Sequence, residues 1–151
     1  MRYSLPLLAI LLCACSTPDS ETSYAGRNVL SPSALLAAKE RPDFVLHVKP
    51  ILEDKCAMCH NKRTLPGLLN LDDRREAFTP GSSGQLAIVP FHPEHSLLVS
   101  NIRQSHHQVT AMPPVGERIT KDEIEVLKTW IAQGASWPEG KAGALKTEVP
   151  Q

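Results

Sequence analysis

The sequence predicts a small all-α domain of short helices joined by long Pro/Gly-rich loops. Three observations lead there. Apolar residues recur at helical spacing in two segments, 44–52 and 124–131. Thirteen prolines in 151 residues interrupt the chain often. Neither an internal repeat nor the patterning of an extensive sheet is visible. The length gives room for one ordinary domain and not for a multidomain enzyme. Sixteen basic residues balance sixteen acidic ones, so overall charge does not point to nucleic acid as a partner. Aromatic residues make up only 5% of the chain, and a large bound apolar group is expected to complete the core.

Residues 1–14 read as an export signal: Arg2, then an almost wholly apolar run from Leu5 to Leu12, then Cys13-Ala14-Cys15. That run is too short to span a bilayer, which takes about 20 residues. Leu12-Cys13-Ala14-Cys15 resembles a bacterial lipobox, with Cys15 as the acylated first residue of the mature chain. The protein is accordingly expected on the periplasmic side of a bacterial membrane, anchored in the bilayer by lipid. Ser16 follows that cysteine; the absence of aspartate there would favour the outer membrane under a sorting rule known for some bacteria, and the sequence leaves inner and outer membrane both open. Residues 15–41 form the anchor and a polar tether, with a short helix expected after Ser31-Pro32, a cap residue followed by proline at the first helical position.

The domain proper is expected over residues 42–138. From Asp43 to Lys55, Phe44, Val45, Val48, Ile51 and Leu52 recur at helical spacing, with Pro50 kinking or restarting the helix. Gly67, Gly81, Gly84, Pro66 and Pro80 make the next stretch loop-rich. Within it Leu68–Leu71 reads as a brief extended segment, and Asp72 as the cap of a short helix running to Phe78. Pro93 to Ile102 reads as a helix. The clearest helix starts at Thr120, which forms a capping box with Glu123, and runs through Ile124, Leu127 and Ile131 to Gly134. Residues 139–151 lack an apolar stripe and read as a flexible tail.

Chemistry concentrates at Cys56-Ala57-Met58-Cys59-His60, the C-x-x-C-H signature of c-type haem attachment. Two thiols spaced by two residues on one turn can each form a thioether to a haem vinyl group, and the adjacent histidine can reach the iron. One covalent haem is therefore expected, enclosed by the helical domain. With Cys13 lost with the signal and Cys15 acylated, Cys56 and Cys59 are the mature chain's remaining cysteines. A thioredoxin-like pair would need a preceding strand, and a zinc site would need four ligands, for which His106 and His107 are the nearby candidates. The sixth iron ligand is expected to be Met112, in the stiff segment Ala111-Met112-Pro113-Pro114, where a thioether would raise the reduction potential relative to a second histidine. His106 and His107 stand as alternatives. His47, His92 and His95 read as surface histidines. Trp130 and Trp137 either wall the haem or pack the terminal helix. Arg74-Arg75 reads as solvated, or as a partner for a haem propionate.

In order along residues 44–138, Val48-Lys49-Pro50-Ile51-Leu52, the haem motif, Gly67-Leu68-Leu69-Asn70-Leu71-Asp72, Ala87-Ile88-Val89-Pro90, Pro93-Glu94-His95-Ser96-Leu97-Leu98, Met112-Pro113-Pro114 and Trp130–Pro138 resemble the planctomycete-type cytochrome c domain. The resemblance implies a class I cytochrome c-like fold, Cys56 and Cys59 as haem thioethers, His60 as proximal ligand and Met112 as distal ligand. Relatives often carry glycine where this chain has Phe91, a departure that bears on loop shape. The expected role is a one-electron carrier between protein redox donors and acceptors, not an enzyme. A haem enzyme or gas sensor with a displaceable sixth ligand is the alternative, followed by a zinc or disulfide structural module.

Overall fold

The structure, a computed structural model, describes residues 30–105 and 107–147. The expected signal, the proposed acylated Cys15, most of the tether and His106 lie outside the described residues. The Ser31 hydroxyl accepts from the Ala34 N–H and Pro32 opens the first turn, so α1 (Pro32–Ala38) forms where the sequence places it. The run from Phe44 to Ala57 is helical throughout, capped by Asp43, which accepts from the Leu46 N–H at 2.8 Å. A π turn (Phe44–Val48) leads into α2 (Lys49–Leu52), and a second π turn (Glu53–Ala57) leads out of it. Pro50 has no N–H to give the preceding turn, and the helix widens ahead of it, with the Val48 N–H on the Asp43 carbonyl at 3.2 Å.

Three local expectations are corrected. The extended segment expected over residues 68–71 starts later: Leu68 belongs to a 3-10 turn (Pro66–Leu68), and Leu69 follows in an extended conformation. The next helix begins one residue late: α3 (Arg74–Ala77) is capped by Asp73, while Asp72 Oδ2 accepts from the Lys62 N–H at 3.1 Å. Pro93–Ile102 divides into a 3-10 turn (Pro93–His95) and α4 (Leu97–Ile102). The break is at Ser96, which is buried and extended; its hydroxyl accepts from the Val89 N–H at 2.9 Å and donates to the His92 carbonyl at 3.0 Å. Those bonds satisfy a buried polar group only if the helix pauses there.

The capping box appears as expected. Thr120 accepts from the Glu123 N–H, Glu123 accepts from the Thr120 N–H at 2.7 Å, and α5 (Lys121–Ala132) runs on from it. Val126, Leu127, Trp130 and Ile131 make its buried stripe, against which α1, α4 and the first π turn pack. Of the expected tail, residues 139–147 pack onto the domain. Trp137 donates from Nε1 to the Gly143 carbonyl at 2.8 Å, and α6 (Gly140–Gly143) closes over it. Lys146 N–H then reaches the Glu53 carboxylate at 2.8 Å. The missing apolar stripe is compensated by one buried indole, with Leu145 packed beside the core.

Phe44, Trp130 and Trp137 form one aromatic cluster, with ring centroids 4.6 to 6.1 Å apart. Both tryptophans thus pack the terminal segments together. Among the described residues there is no strand, only an isolated antiparallel bridge between Pro80 and Leu86, and no helix long and apolar enough to cross a membrane.

Candidate functional site

The second π turn delivers Cys56 buried at its end, and the chain then folds tightly back on that residue. Cys59 N–H and His60 N–H both donate to the Cys56 carbonyl, at 3.1 and 2.9 Å. A residue that sequence reasoning passed over holds this turn. Asn61 is 2% exposed; its Nδ2 donates to the Ala57 and Met58 carbonyls at 2.9 Å each, while its Oδ1 accepts from the Arg63 N–H at 2.9 Å. An asparagine after the motif reads in sequence only as a turn former, so nothing local announced a buried clamp.

Cys56, Cys59 and His60 stand on one wall of a largely apolar cavity of about 380 Å³, and Met112 stands on its wall too. That size lies within the usual range for cofactor sites, about 300–1,000 Å³. Pro66 and Leu69 offer backbone carbonyls to His60, and Leu97, Leu98, Ile102 and Ile119 add apolar side chains to the lining. The backbone positions Met112 by a bond from its N–H to the Asn101 carbonyl at 3.1 Å. The loops on the remaining side meet closely. A Cβ on Gly81 would sit 2.6 Å from the Gly67 carbonyl oxygen, so this approach admits only glycine.

Burial pushes the Cys56 thiol up to about 12, with Asp54 adding to the effect. That opposes the low-pKa thiolate a thioredoxin-like pair needs, and a helix rather than a strand precedes the motif. Burial also holds His60 below the ordinary histidine value, against the Leu69 and Pro66 carbonyls, which favour a proton. Its Nδ1 is buried with no completed hydrogen bond. A neutral imidazole is the form that ligates a metal. Lys55 is the charged residue of the cavity wall. Burial acts to lower its pKa, but hydrogen bonds to Asp54 at 2.8 Å and Glu117 at 3.3 Å raise it overall.

The other sequence candidates lie elsewhere. His107 is exposed and not part of the cavity wall. His47 accepts from the Asp43 N–H at 2.9 Å. His92 and His95 are exposed. Arg74 donates from Nε to the Trp137 carbonyl at 2.8 Å and lies over the Phe78 ring, while the Arg75 side chain is largely exposed; neither borders the cavity. Among the described residues, the cluster spaced for a metal ion excludes Cys56, Cys59 and His60.

The donor set fits haem c by its chemistry. It offers two thiols on one turn, a neutral imidazole beside them and a thioether, all on one apolar cavity. Residues 56–116, about two-fifths of the chain, match the family model described as Planctomycete cytochrome C. No curated protein and no solved structure matches.

Proposed function

We infer that the protein, whose residues 56–116 match the planctomycete cytochrome c family with haem c as the implied cofactor, carries single electrons through one covalently held haem. Cys56 and Cys59 hold the group by thioethers, His60 supplies the proximal nitrogen and Met112 the distal sulfur. The observation that carries this reading is the convergence of these four side chains, drawn from positions 56 to 112, on one cavity. When bound, the haem supplies a one-electron couple whose potential the protein sets through its axial ligands and surroundings.

What the chain itself contributes is position and exclusion. Asn61 fixes the turn that carries both cysteines and His60. Leu97, Leu98, Ile102 and Ile119 keep the interior apolar, which limits water and lowers the local dielectric. Pro113 and Pro114 stiffen the segment behind Met112, so little ordering entropy is lost in keeping a weak ligand in place. Anchoring through acylated Cys15 at the periplasmic face of a bacterial membrane completes the reading, with redox proteins as donor and acceptor.

The test is spectroscopic, on full-length protein from a host that matures c-type cytochromes. Denatured protein should keep its pigment, at one haem per chain. The ferric form should show the weak far-red sulfur-to-iron band, and wild type should bind carbon monoxide poorly. Met112→Ala should abolish that band and open the iron to carbon monoxide while the pigment stays attached. Pigment that extracts freely into acidic organic solvent overturns the covalent reading. Ready carbon monoxide binding and fast peroxide turnover by the wild type would replace the carrier by a haem enzyme.

A further inference from the structure

A second group of metal-ligating side chains lies on the surface at His92, Glu94 and His95, none of which borders the cavity. The local backbone brings them together. Pro93–His95 is a 3-10 turn of about three residues per turn, so residues three apart sit on the same side. His92 and His95 are such a pair, with Glu94 between them in sequence. His92 Nδ1 lies 3.1 Å from Glu94 Oε1, and His95 Nε2 lies 3.6 Å from the same oxygen. Donor atoms about 2.0–2.2 Å from a tetrahedral zinc ion sit roughly 3.4 Å apart. The two observed spacings bracket that value.

The turn is held from several sides. His92 N–H donates to the Val89 carbonyl at 2.9 Å, His95 N–H to the His92 carbonyl at 3.1 Å, and the buried Ser96 hydroxyl to the same His92 carbonyl. Phe91 N–H ties the entry to α5 through the Ile131 carbonyl at 2.8 Å. These bonds fix the backbone of the turn, and the three exposed side chains place their donor atoms within 4.8 Å of one another, which reduces the ordering that binding requires.

We propose that His92, Glu94 and His95 form a surface site for one divalent transition-metal ion of the zinc and copper type. Two imidazoles and a carboxylate suit those ions better than magnesium or calcium, which favour all-oxygen ligation. Three protein ligands leave at least one position to water. The site is separate from the haem-binding residues and does not depend on the electron-carrier reading.

The experiment is calorimetric titration of haem-loaded, full-length protein, stripped with chelator, using zinc chloride as the probe. Wild type should take up one zinc ion per chain with no change in its visible spectrum. His92→Ala and His95→Ala should each weaken binding by about tenfold or more, the double variant should bind none, and Glu94→Gln should weaken it while preserving the side chain's shape. His47→Ala should bind as wild type does. The proposal is overturned if the His92 and His95 variants bind zinc as wild type does, or if wild type shows no saturable binding below about 1 mM.

Discussion

Phe44, Trp130 and Trp137 fill the space between α5 and the first helical run with their own rings, whereas residues 66–69, 79–87 and 110–119 surround a cavity that no side chain fills. Both regions are apolar and belong to one continuous core, which includes Phe44, Trp130 and Trp137 on the one side and Leu98, Ile102 and Ile119 on the other. They differ in what completes them. The aromatic side satisfies its own polar handles, Trp130 Nε1 donating to the Ser136 carbonyl at 2.9 Å and Trp137 Nε1 to the Gly143 carbonyl. The cavity side leaves His60 Nδ1 buried without a hydrogen bond. The few aromatic residues close one side of the core, and the other side is the one on which the proposed function places the haem.

The largest effect is expected from removing the two thiols proposed to hold the haem. A Cys56→Ser, Cys59→Ser double variant should lose covalent pigment completely. Amide exchange should then show local opening free energies near zero in residues 66–69, 79–87 and 110–114, while α5 keeps most of its protection. Equal loss on both sides would mean that the aromatic side is not self-sufficient. Next in size is Trp137→Ala, which should cost about 3–5 kcal/mol in urea unfolding of the haem-loaded protein. It leaves a void beside Phe44 and removes the bond that seats α6. Little change in midpoint would show that the cofactor, not the aromatic cluster, dominates stability.

The same division explains what was legible in the sequence. Capping at Ser31 and at Thr120 with Glu123 is local chemistry, and both helices begin where those residues place them. The C-x-x-C-H motif is equally local, and Met112, distant from it in sequence, lines the same cavity. Choices made by distant partners were not legible. Asp72 and Asp73 are equivalent as caps until Lys62 N–H occupies the first, and Ser96 looks like a helix residue until Val89 and His92 claim its hydroxyl. Asn61 and the docked 139–147 segment escaped notice for the same reason, since each is fixed by groups the local pattern does not contain. The two π turns around α2 carry no pattern beyond Pro50.

The smallest of these effects sharpens the comparison at a junction between α5 and the loop that precedes α4. Gly134 ends α5 at φ +100°, in the left-handed region, and a Cβ there would lie 2.7 Å from the Phe91 ring. Phe91 itself is 67% exposed and sits at φ +69°. Gly134→Ala should therefore cost about 1–3 kcal/mol, part from backbone strain and part from the ring. Phe91→Gly removes the ring and relieves a strained φ at the expense of unfolded-chain entropy, so alone it should change stability by less than about 1 kcal/mol. Combined, the two changes should cost less than their sum, by about 0.5 kcal/mol or more, as expected for residues in contact. Urea unfolding of the four proteins measures that coupling. Strict additivity would mean that the ring swings freely away into solvent and that only the φ of Gly134 matters; a positive coupling places Phe91 as a packed stop on α5, which is a use for a bulky residue at a position where glycine would suit the backbone better.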